Sequence, residues 1–176
     1  MSDESVLLIE VPEAEPLVAD WRARYDPVAA HGVPAHITVL FPFIPPELID
    51  EATLEALAAT FAEVEPFDFH LAALDQFPGV YYLAPEPAEA FKNLTRAVVA
   101  RFPEYRPYGG AFGSDSTPHL TVAQIAAPAE FDAMGAELQA ACAQALPIRS
   151  RAETVLLMHN VTGPWTVNRS FRLGRA

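Results

Sequence analysis

The chain has 176 residues, 51% of them hydrophobic, and a formal net charge of −12 that comes from 23 acidic and 11 basic residues. This length suits one compact domain, or two small lobes that share a core. The acidic balance argues against a general binder of long RNA or DNA, and no apolar run approaches the length of a membrane span. Since the start of the sequence is acidic where a signal peptide would be basic, we expect a cytoplasmic protein, and we expect it to be a monomer.

The first half of the chain predicts a strand, a helix, a second strand, a second helix and a hairpin, in that order. Apolar residues at helical spacing mark the helices, and short runs of apolar and β-branched residues bounded by Gly or Pro mark the strands. The predicted elements are a strand at 5–11, a helix at 13–25, a strand at 35–41, a helix at 47–63, and strands at 67–76 and 80–84.

The second half of the chain repeats this order. The predicted elements are a helix from 87 to about 102, a strand at 119–125, a helix at 129–145, and strands at 148–158 and 165–173. A His-x-Thr strand stands at the same place in each half, with an offset of 83 residues from position 36 to position 119, and the hairpin glycines at positions 79 and 163 are offset by 84. We therefore predict one bilobal domain over 1–176, with approximate repeats at 13–84 and 85–173. The expected fold class is α+β, with two mainly antiparallel sheets flanked by helices and a central cleft that carries both motifs.

The two His-x-Thr motifs are the candidate catalytic residues. Because side chains alternate along a strand, His36 and Thr38 share one face, as do His119 and Thr121. A phosphodiester reaction needs a group that removes a proton, a group that supplies one, and donors for the phosphate oxygens. Imidazole suits the proton transfers because its pKa lies near neutral pH, and a threonine hydroxyl can donate a hydrogen bond to phosphate. The four residues satisfy this list without a metal or a cofactor, and we expect neither.

A single His-x-Thr is a weak signal, because a histidine at the start of a strand is usually a satisfied core or surface residue. Here the motif occurs twice, each time after Pro and each time at the same place in the repeat. The repetition favours a functional interpretation over a structural one.

The sequence also resembles the 2H phosphoesterase superfamily, and within it the 2'-5' RNA ligase-like proteins and RNA 2',3'-cyclic phosphodiesterases. The resemblance covers nearly the whole chain and is strongest in GVPAHITVLFPF (residues 32–43) and PHLTV (residues 118–122). It implies a bilobal fold of duplicated units and a metal-independent active site in the cleft. It also implies that His36 and His119 share the acid and base roles, while Thr38 and Thr121 hold the phosphate of a 2',3'-cyclic phosphate or a related 2'-phosphoester.

Four further residues are candidates for substrate binding. Phe43 follows the first motif, and Tyr108 lies in the long loop before the second, where aromatic rings could stack on a nucleobase or pack in the core. Arg106 is the basic residue of that loop that we expect to contact phosphate. Gln124 either donates its amide to the substrate or closes the end of its strand. Other aromatic candidates with the same two interpretations are Phe41, Tyr105 and Phe112.

Positive charge is scarce around the first motif, because no Lys or Arg occurs between Arg24 and Lys92. The negative charge of a phosphate held near His36 must therefore be stabilised by histidines, hydroxyls, backbone amides, or arginines from elsewhere in the chain. The expected partner is a small nucleotide or an RNA end, and we expect no membrane partner. Two alternatives to a hydrolase remain open: a module that binds a nucleotide or a phosphorylated metabolite without turnover, and an enzyme that joins RNA ends through a 2'-5' linkage.

Overall fold

The computed structural model describes residues 3–111 and 116–175. Within these residues the chain forms four α-helices and eight strands. The helices are α1 (Glu15–Tyr25), α2 (Glu51–Ala62), α3 (Ala88–Arg101) and α4 (Pro128–Ala145). The strands are β1 (Ser5–Glu10), β2 (His36–Leu40), β3 (Phe67–Phe77), β4 (Val80–Glu86), β5 (Leu120–Gln124), β6 (Ile148–Ala152), β7 (Thr154–His159) and β8 (Thr166–Arg172).

The strands form two four-stranded sheets. Sheet 1 has the order β2-β1-β7-β8 and sheet 2 the order β5-β4-β3-β6. Every pairing in both sheets is antiparallel. The predicted α+β class, with two antiparallel sheets flanked by helices, is confirmed.

Each sheet takes strands from both halves of the chain. The β3-β4 hairpin of the first half pairs with β5 of the second, and the β7-β8 hairpin of the second half pairs with β1 of the first. The helices cross over in the same way: α1, which precedes β2, packs against β5, and α3, which precedes β5, packs against β2. The two motif strands therefore belong to one interlocked unit.

The predicted single strand at 148–158 is wrong, because the chain changes sheet at Glu153. β6 pairs with β3 at the edge of sheet 2, whereas β7 lies inside sheet 1 between β1 and β8. The exposed Arg149 and Arg151 of β6 fit an edge strand, and the buried Val155 and Leu157 of β7 fit a central one. Both segments stay extended, so the apolar pattern alone does not show the change of sheet.

Two predicted helices begin later than expected. Single 3₁₀ turns at Pro12–Ala14 and Pro46–Leu48 precede α1 and α2. α2 begins after Asp50, whose side chain accepts a hydrogen bond from the backbone N–H of Thr53 and so caps the helix. In the described part of the chain, no helix is long and apolar enough to cross a membrane.

The main core lies on one face of each sheet and decides which way the motif residues point. In β2, Ile37 and Val39 are 0% and 3% exposed and belong to this core. Burying each side chain is worth about 1.5–3 kcal/mol, so a slip of one residue in register is strongly disfavoured. His36 and Thr38 must then lie on the opposite face, where both are only partly buried. We call this the motif face of sheet 1.

Candidate active site

The two motif strands meet across the junction of the sheets. β2 and β5 are each an edge strand of their own sheet, and they lie against each other. Thr38 and His119 line one small pocket, whose remaining lining comes from β2, from α3 and from both ends of the loop before β5. The structure thus brings Thr38 of the first motif and His119 of the second to one pocket, whereas His36 and Thr121 are not part of its lining.

Both imidazoles are anchored by the same contact. The Nδ1 atom of His36 lies 2.8 Å from the backbone oxygen of Pro34, and that of His119 lies 2.8 Å from the backbone oxygen of Thr117. A carbonyl only accepts, so Nδ1 carries the hydrogen in each ring and Nε2 is the basic nitrogen of the neutral form. The two histidines therefore present the same nitrogen for proton exchange.

Both histidines bind protons more weakly than an exposed imidazole does. Burial lowers the pKa of His36 to about 4, although its hydrogen bond to Pro34 opposes the shift, and the charges of Arg22 and His119 lower the pKa further. Burial also lowers the pKa of His119, against its hydrogen bond to Thr117. Without a ligand, both rings are neutral at pH 7, and each can accept a proton.

The permanent charge that acts on His36 comes from the buried Arg22 of α1. Its Nη2 donates to the backbone oxygen of Val33 at 3.0 Å, and its Nε donates to Oδ2 of Asp26 at 3.0 Å. Burial raises the pKa of Asp26, and the neighbouring Arg22 opposes that shift. Sequence reasoning left open that an arginine from elsewhere in the chain could reach phosphate. The partners of Arg22 instead make it a support for the loop that leads to the first motif.

Tyr108 and Thr38 both line the pocket. Burial raises the pKa of the Tyr108 phenol, and hydrogen bonding from the Thr38 side chain opposes this shift. The backbone N–H of Tyr108 donates to the oxygen of Phe41 at 2.6 Å. The loop that delivers the second motif is thus fastened to the strand of the first.

Phe43 lies in the core instead of the pocket. It is 3% exposed, and its ring packs edge-on to Phe102 and tilted against Tyr105. This burial leaves no ring face for a nucleobase and supports the packing interpretation of both Phe43 and Tyr105. Phe112, the third aromatic candidate of the loop, lies outside the described residues.

Arg106 is exposed, and no ion pair joins it to another residue of the described ranges. It lies two residues before Tyr108, at the start of a short helical turn (Pro107–Gly110). The next two residues in the chain, Pro107 and Tyr108, both line the pocket.

Gln124 lies on the same face of sheet 2 as Thr121, which we call the motif face of sheet 2, because the pairing of β5 with β4 is irregular. In a regular strand, residues three apart lie on opposite faces. Here the register shifts between Tyr81 and Tyr82, so that Tyr82 pairs with Thr121 while Val80 pairs with Gln124. Val80 and Tyr82 share a face of β4, and therefore Gln124 and Thr121 share it too. Gln124 is exposed at the end of β5.

Sequence reasoning missed the aromatic residues that hold His119. The ring of Phe77 meets the His119 imidazole edge-on at 5.2 Å, and the ring of Tyr82 lies at 5.6 Å. Phe77 and Tyr82 also stack on each other, with centroids 4.3 Å apart. The available signal was the hairpin itself, since a turn at Pro78-Gly79 brings residues on either side of it together.

A second aromatic pair lies beside the first motif. Trp165 packs against Phe41 with centroids 6.3 Å apart, and both border a small apolar cluster separate from the main core. That cluster contains Leu8, the cross-strand partner of Thr38. The motif face of sheet 1 is therefore apolar next to Thr38.

Comparison with known proteins agrees with this architecture. The family model of the 2'-5' RNA ligase superfamily matches residues 10–164. Proteins of Bacillus cereus (strain B4264) and Bacillus thuringiensis (strain Al Hakam), each named "Putative phosphoesterase", are 30% identical over 159 residues, which is 88% of this chain and 87% of theirs.

Solved structures show the same fold. E. coli LigT complexed with NADP+ superposes with a TM-score of 0.59 at 16% identity over 99% of both chains. The protein TT0787 of Thermus thermophilus gives a TM-score of 0.61 at 21% identity over 98% of this chain and 100% of its own. Together with the match of the family model, the fold confirms the resemblance noted in the motifs: the chain belongs to the 2'-5' RNA ligase superfamily.

Proposed function

We propose that this protein is a metal-independent phosphodiesterase that hydrolyses the 2',3'-cyclic phosphate, or a related 2'-phosphoester, of a small nucleotide or an RNA end. The observation that carries the proposal is the paired anchoring of His36 and His119. Each Nδ1 is held by a carbonyl, and the two motif strands meet. Two imidazoles that are anchored in the same way, on strands that lie against each other, are suited to opposite proton transfers.

In the proposed reaction, water attacks phosphorus as one imidazole takes its proton at Nε2. The new bond joins the water oxygen to phosphorus, and the bond between phosphorus and the leaving ribose oxygen breaks. The other histidine, protonated, gives its proton to that oxygen. The two rings thereby exchange protonation states, and exchange with solvent restores them. One general acid or base contributes about 10²- to 10⁴-fold to such a rate.

The negative charge of the substrate can promote protonation of the histidine that acts as the acid. Burial lowers the pKa of both rings in the unliganded protein. A bound phosphate places a negative charge beside them, which favours the imidazolium form. Thr38 and Thr121 would donate hydrogen bonds to the non-bridging oxygens, in line with their positions on the motif faces.

The comparisons support a small phosphorylated ligand. The Bacillus relatives carry the phosphoesterase name, and LigT structures of the same fold are complexed with 3'-AMP, ATP or NADP+. The superfamily's name also keeps joining of RNA ends, the reverse direction of this chemistry, as a second candidate. Product analysis separates the two candidates.

The test is turnover of nucleoside 2',3'-cyclic phosphates in EDTA by the wild type, His36→Ala and His119→Ala. We expect an active wild type and a loss of at least 100-fold in either variant. His70→Ala is the matched control, because His70 is a partly exposed histidine of β3, ion-paired with Glu86 and outside the site. Equal rates in all four proteins would show that neither His36 nor His119 has the proposed role. Tight binding of the ligand with no product would favour a binding module, and wild-type activity lost in EDTA would indicate a metal enzyme.

A further inference from the structure

A groove of about 590 Å³ opens on sheet 2, outside the pocket that contains Thr38 and His119. It is formed by β3, by the end of β4 and by β6, and its lining includes Asp68, His70, Glu86 and Arg149. The proposed reaction uses none of these side chains. The position of the groove on the sheet and its charge decide which ligand it can hold.

The groove and the second motif lie on one face of sheet 2. Tyr82 of β4 is the cross-strand partner of Thr121, and Glu86, four residues further along β4, shares its face because side chains alternate. Glu86 pairs with His70 of β3, and His70 pairs with Arg149 of β6. Since cross-strand partners point to the same side of a sheet, Arg149 lies on the motif face of sheet 2.

The surface between the second motif and the groove carries small side chains. Leu120 pairs with Leu83, so Ala84 stands level with His119 on the motif face of sheet 2. The cross-strand partner of Ala84 is Ala73, and neither is fully buried. Alanine is depleted in strands because its methyl group packs little against its neighbours. Two paired alanines on an open face leave a shallow path from His119 to the groove, without a large side chain of β3 or β4 in between.

The separation of His119 and Arg149 exceeds the reach of one nucleotide. Arg149 lies three strands away in the order β5-β4-β3-β6, at the level of Glu86, two residues beyond Ala84. Spacings of about 4.8 Å between strands and about 3.3 Å per residue put the two Cα atoms about 16 Å apart. A mononucleotide with its cyclic phosphate at His119 does not extend to Arg149, whereas a short oligonucleotide does.

Arg149 is a cation of the groove that no carboxylate neutralises. Asp68 is paired with Arg151 at 2.7 Å, and Oε2 of Glu86 lies 3.5 Å from Nε2 of His70. Arg149 is exposed and makes no hydrogen bond or ion pair with another residue of the described ranges. A guanidinium binds phosphate through two parallel hydrogen bonds, so its geometry suits a phosphodiester of a nucleic acid chain.

From this arrangement we propose that Arg149 binds a phosphate of the RNA chain that precedes the cyclic end, so that the substrate is a short oligonucleotide with a 2',3'-cyclic phosphate. This inference rests on the proposed function, which leaves the choice between a small nucleotide and an RNA end open. Because the cyclic phosphate closes the 3' end, the remaining nucleotides extend only on the 5' side, over Ala84 and Ala73. The net charge of −12 restricts such contacts to a few phosphates.

The experiment compares Arg149→Gln with the wild type, in EDTA, on a nucleoside 2',3'-cyclic phosphate and on oligoribonucleotides of increasing length with the same cyclic end. On the longer substrates, we expect kcat/KM to fall about tenfold in the variant, as for one charge-assisted hydrogen bond, and on the nucleoside we expect the wild-type value. The slope of log kcat/KM against log salt should also weaken by about 0.7 for the longer substrates. Arg101→Gln removes an exposed arginine at the opposite end of α3 from the groove and, as the matched control, should equal the wild type on every substrate.

An equal loss on the nucleoside and on the oligonucleotides would overturn the inference, since Arg149 would then act on the fold or on the catalytic pocket. Wild-type kcat/KM in Arg149→Gln at every length would overturn it as well. If the wild type turns over no cyclic phosphate of any length, the proposed function fails, and fluorescence anisotropy of a labelled oligoribonucleotide with a 3'-phosphate then decides the inference. Binding about tenfold weaker in Arg149→Gln, with the affinity for 3'-AMP unchanged, supports it, and equal affinity for the oligonucleotide refutes it.

Discussion

Arg22 and Asp26 form a buried ion pair one helical turn apart, with Nε and Oδ2 separated by 3.0 Å and side chains that are 3% and 0% exposed. The same guanidinium donates to the oxygen of Val33, three residues before the first motif histidine. The pair therefore fixes the end of α1 to the loop that places His36. Because both side chains are buried, removal of one partner should lower the free energy of unfolding.

Replacing Arg22 by Met should destabilise the protein by about 3–5 kcal/mol, because it leaves the Asp26 carboxyl buried without its partner. Urea unfolding at pH 7 measures this loss. Arg24→Met is the matched control two residues away, where the exposed side chain stacks on Trp21 and Tyr25 and the expected change is under about 1 kcal/mol. In the double variant R22M/D26L, much of the lost stability should return. If R22M and R24M unfold at the same urea concentration, the buried pair of Arg22 and Asp26 contributes no more to the free energy of unfolding than the exposed Arg24 does.

Stability should fall as pH is lowered from about 6.5 towards 4, in part because of His36. Its pKa is about 4 in the folded protein and near 6.5 in the unfolded chain, so between these values the unfolded state binds more protons. The sign is therefore loss of stability on acidification, and this one group accounts for about 3 kcal/mol by pH 4. His119, whose pKa is also lowered, acts in the same direction.

Urea unfolding of the wild type and His36→Gln at several pH values between 4 and 7 measures this contribution. The variant should show a flatter dependence of unfolding free energy on pH than the wild type. An unaltered slope in H36Q would mean that His36 titrates normally in the folded protein.

The repeat and its two motifs could be predicted from the sequence because they depend on local patterns. The alternation of Ile37 and Val39 with His36 and Thr38 decides which side chains are buried, and the second occurrence of the motif indicates a shared site. Those inferences need no knowledge of which strands pair.

Other features depend on contacts between distant segments, which leave no periodic signal. The change of sheet at Glu153 and the crossing of α1 onto β5 follow from packing of the whole chain. The position of Gln124 depends on a register shift against β4. The burial of Phe43 depends on Phe102 and Tyr105, which lie about sixty residues away in the sequence.

Arg106 should affect substrate affinity and leave the chemistry intact. An exposed guanidinium beside the site attracts phosphate through water, which strengthens binding of ground state and transition state alike. Arg106→Gln should therefore raise KM several-fold with kcat little changed, and should weaken the dependence of KM on salt. Steady-state kinetics at about 50 mM and about 300 mM salt are the measurement. Arg101→Gln, on the exposed side of α3, is the control. A fall in kcat at constant KM would mean that Arg106 takes part in the chemical step instead.

Ligand binding should raise the pKa of the two motif histidines. In the unliganded protein, His36 should titrate at about 4 and His119 below its ordinary value, because burial disfavours the imidazolium in both. A bound nucleotide phosphate opposes that effect with its negative charge, so both titrations should move to higher pH in the presence of 3'-AMP. NMR of histidine ring protons, with and without the nucleotide, follows each residue separately once H36Q and H119Q assign the signals. The ring signals of His70, which lies outside the pocket, are the internal control and should not move when 3'-AMP is added. If the two motif histidines titrate identically with and without 3'-AMP, the phosphate does not lie between them and the proposed proton transfers lose their basis.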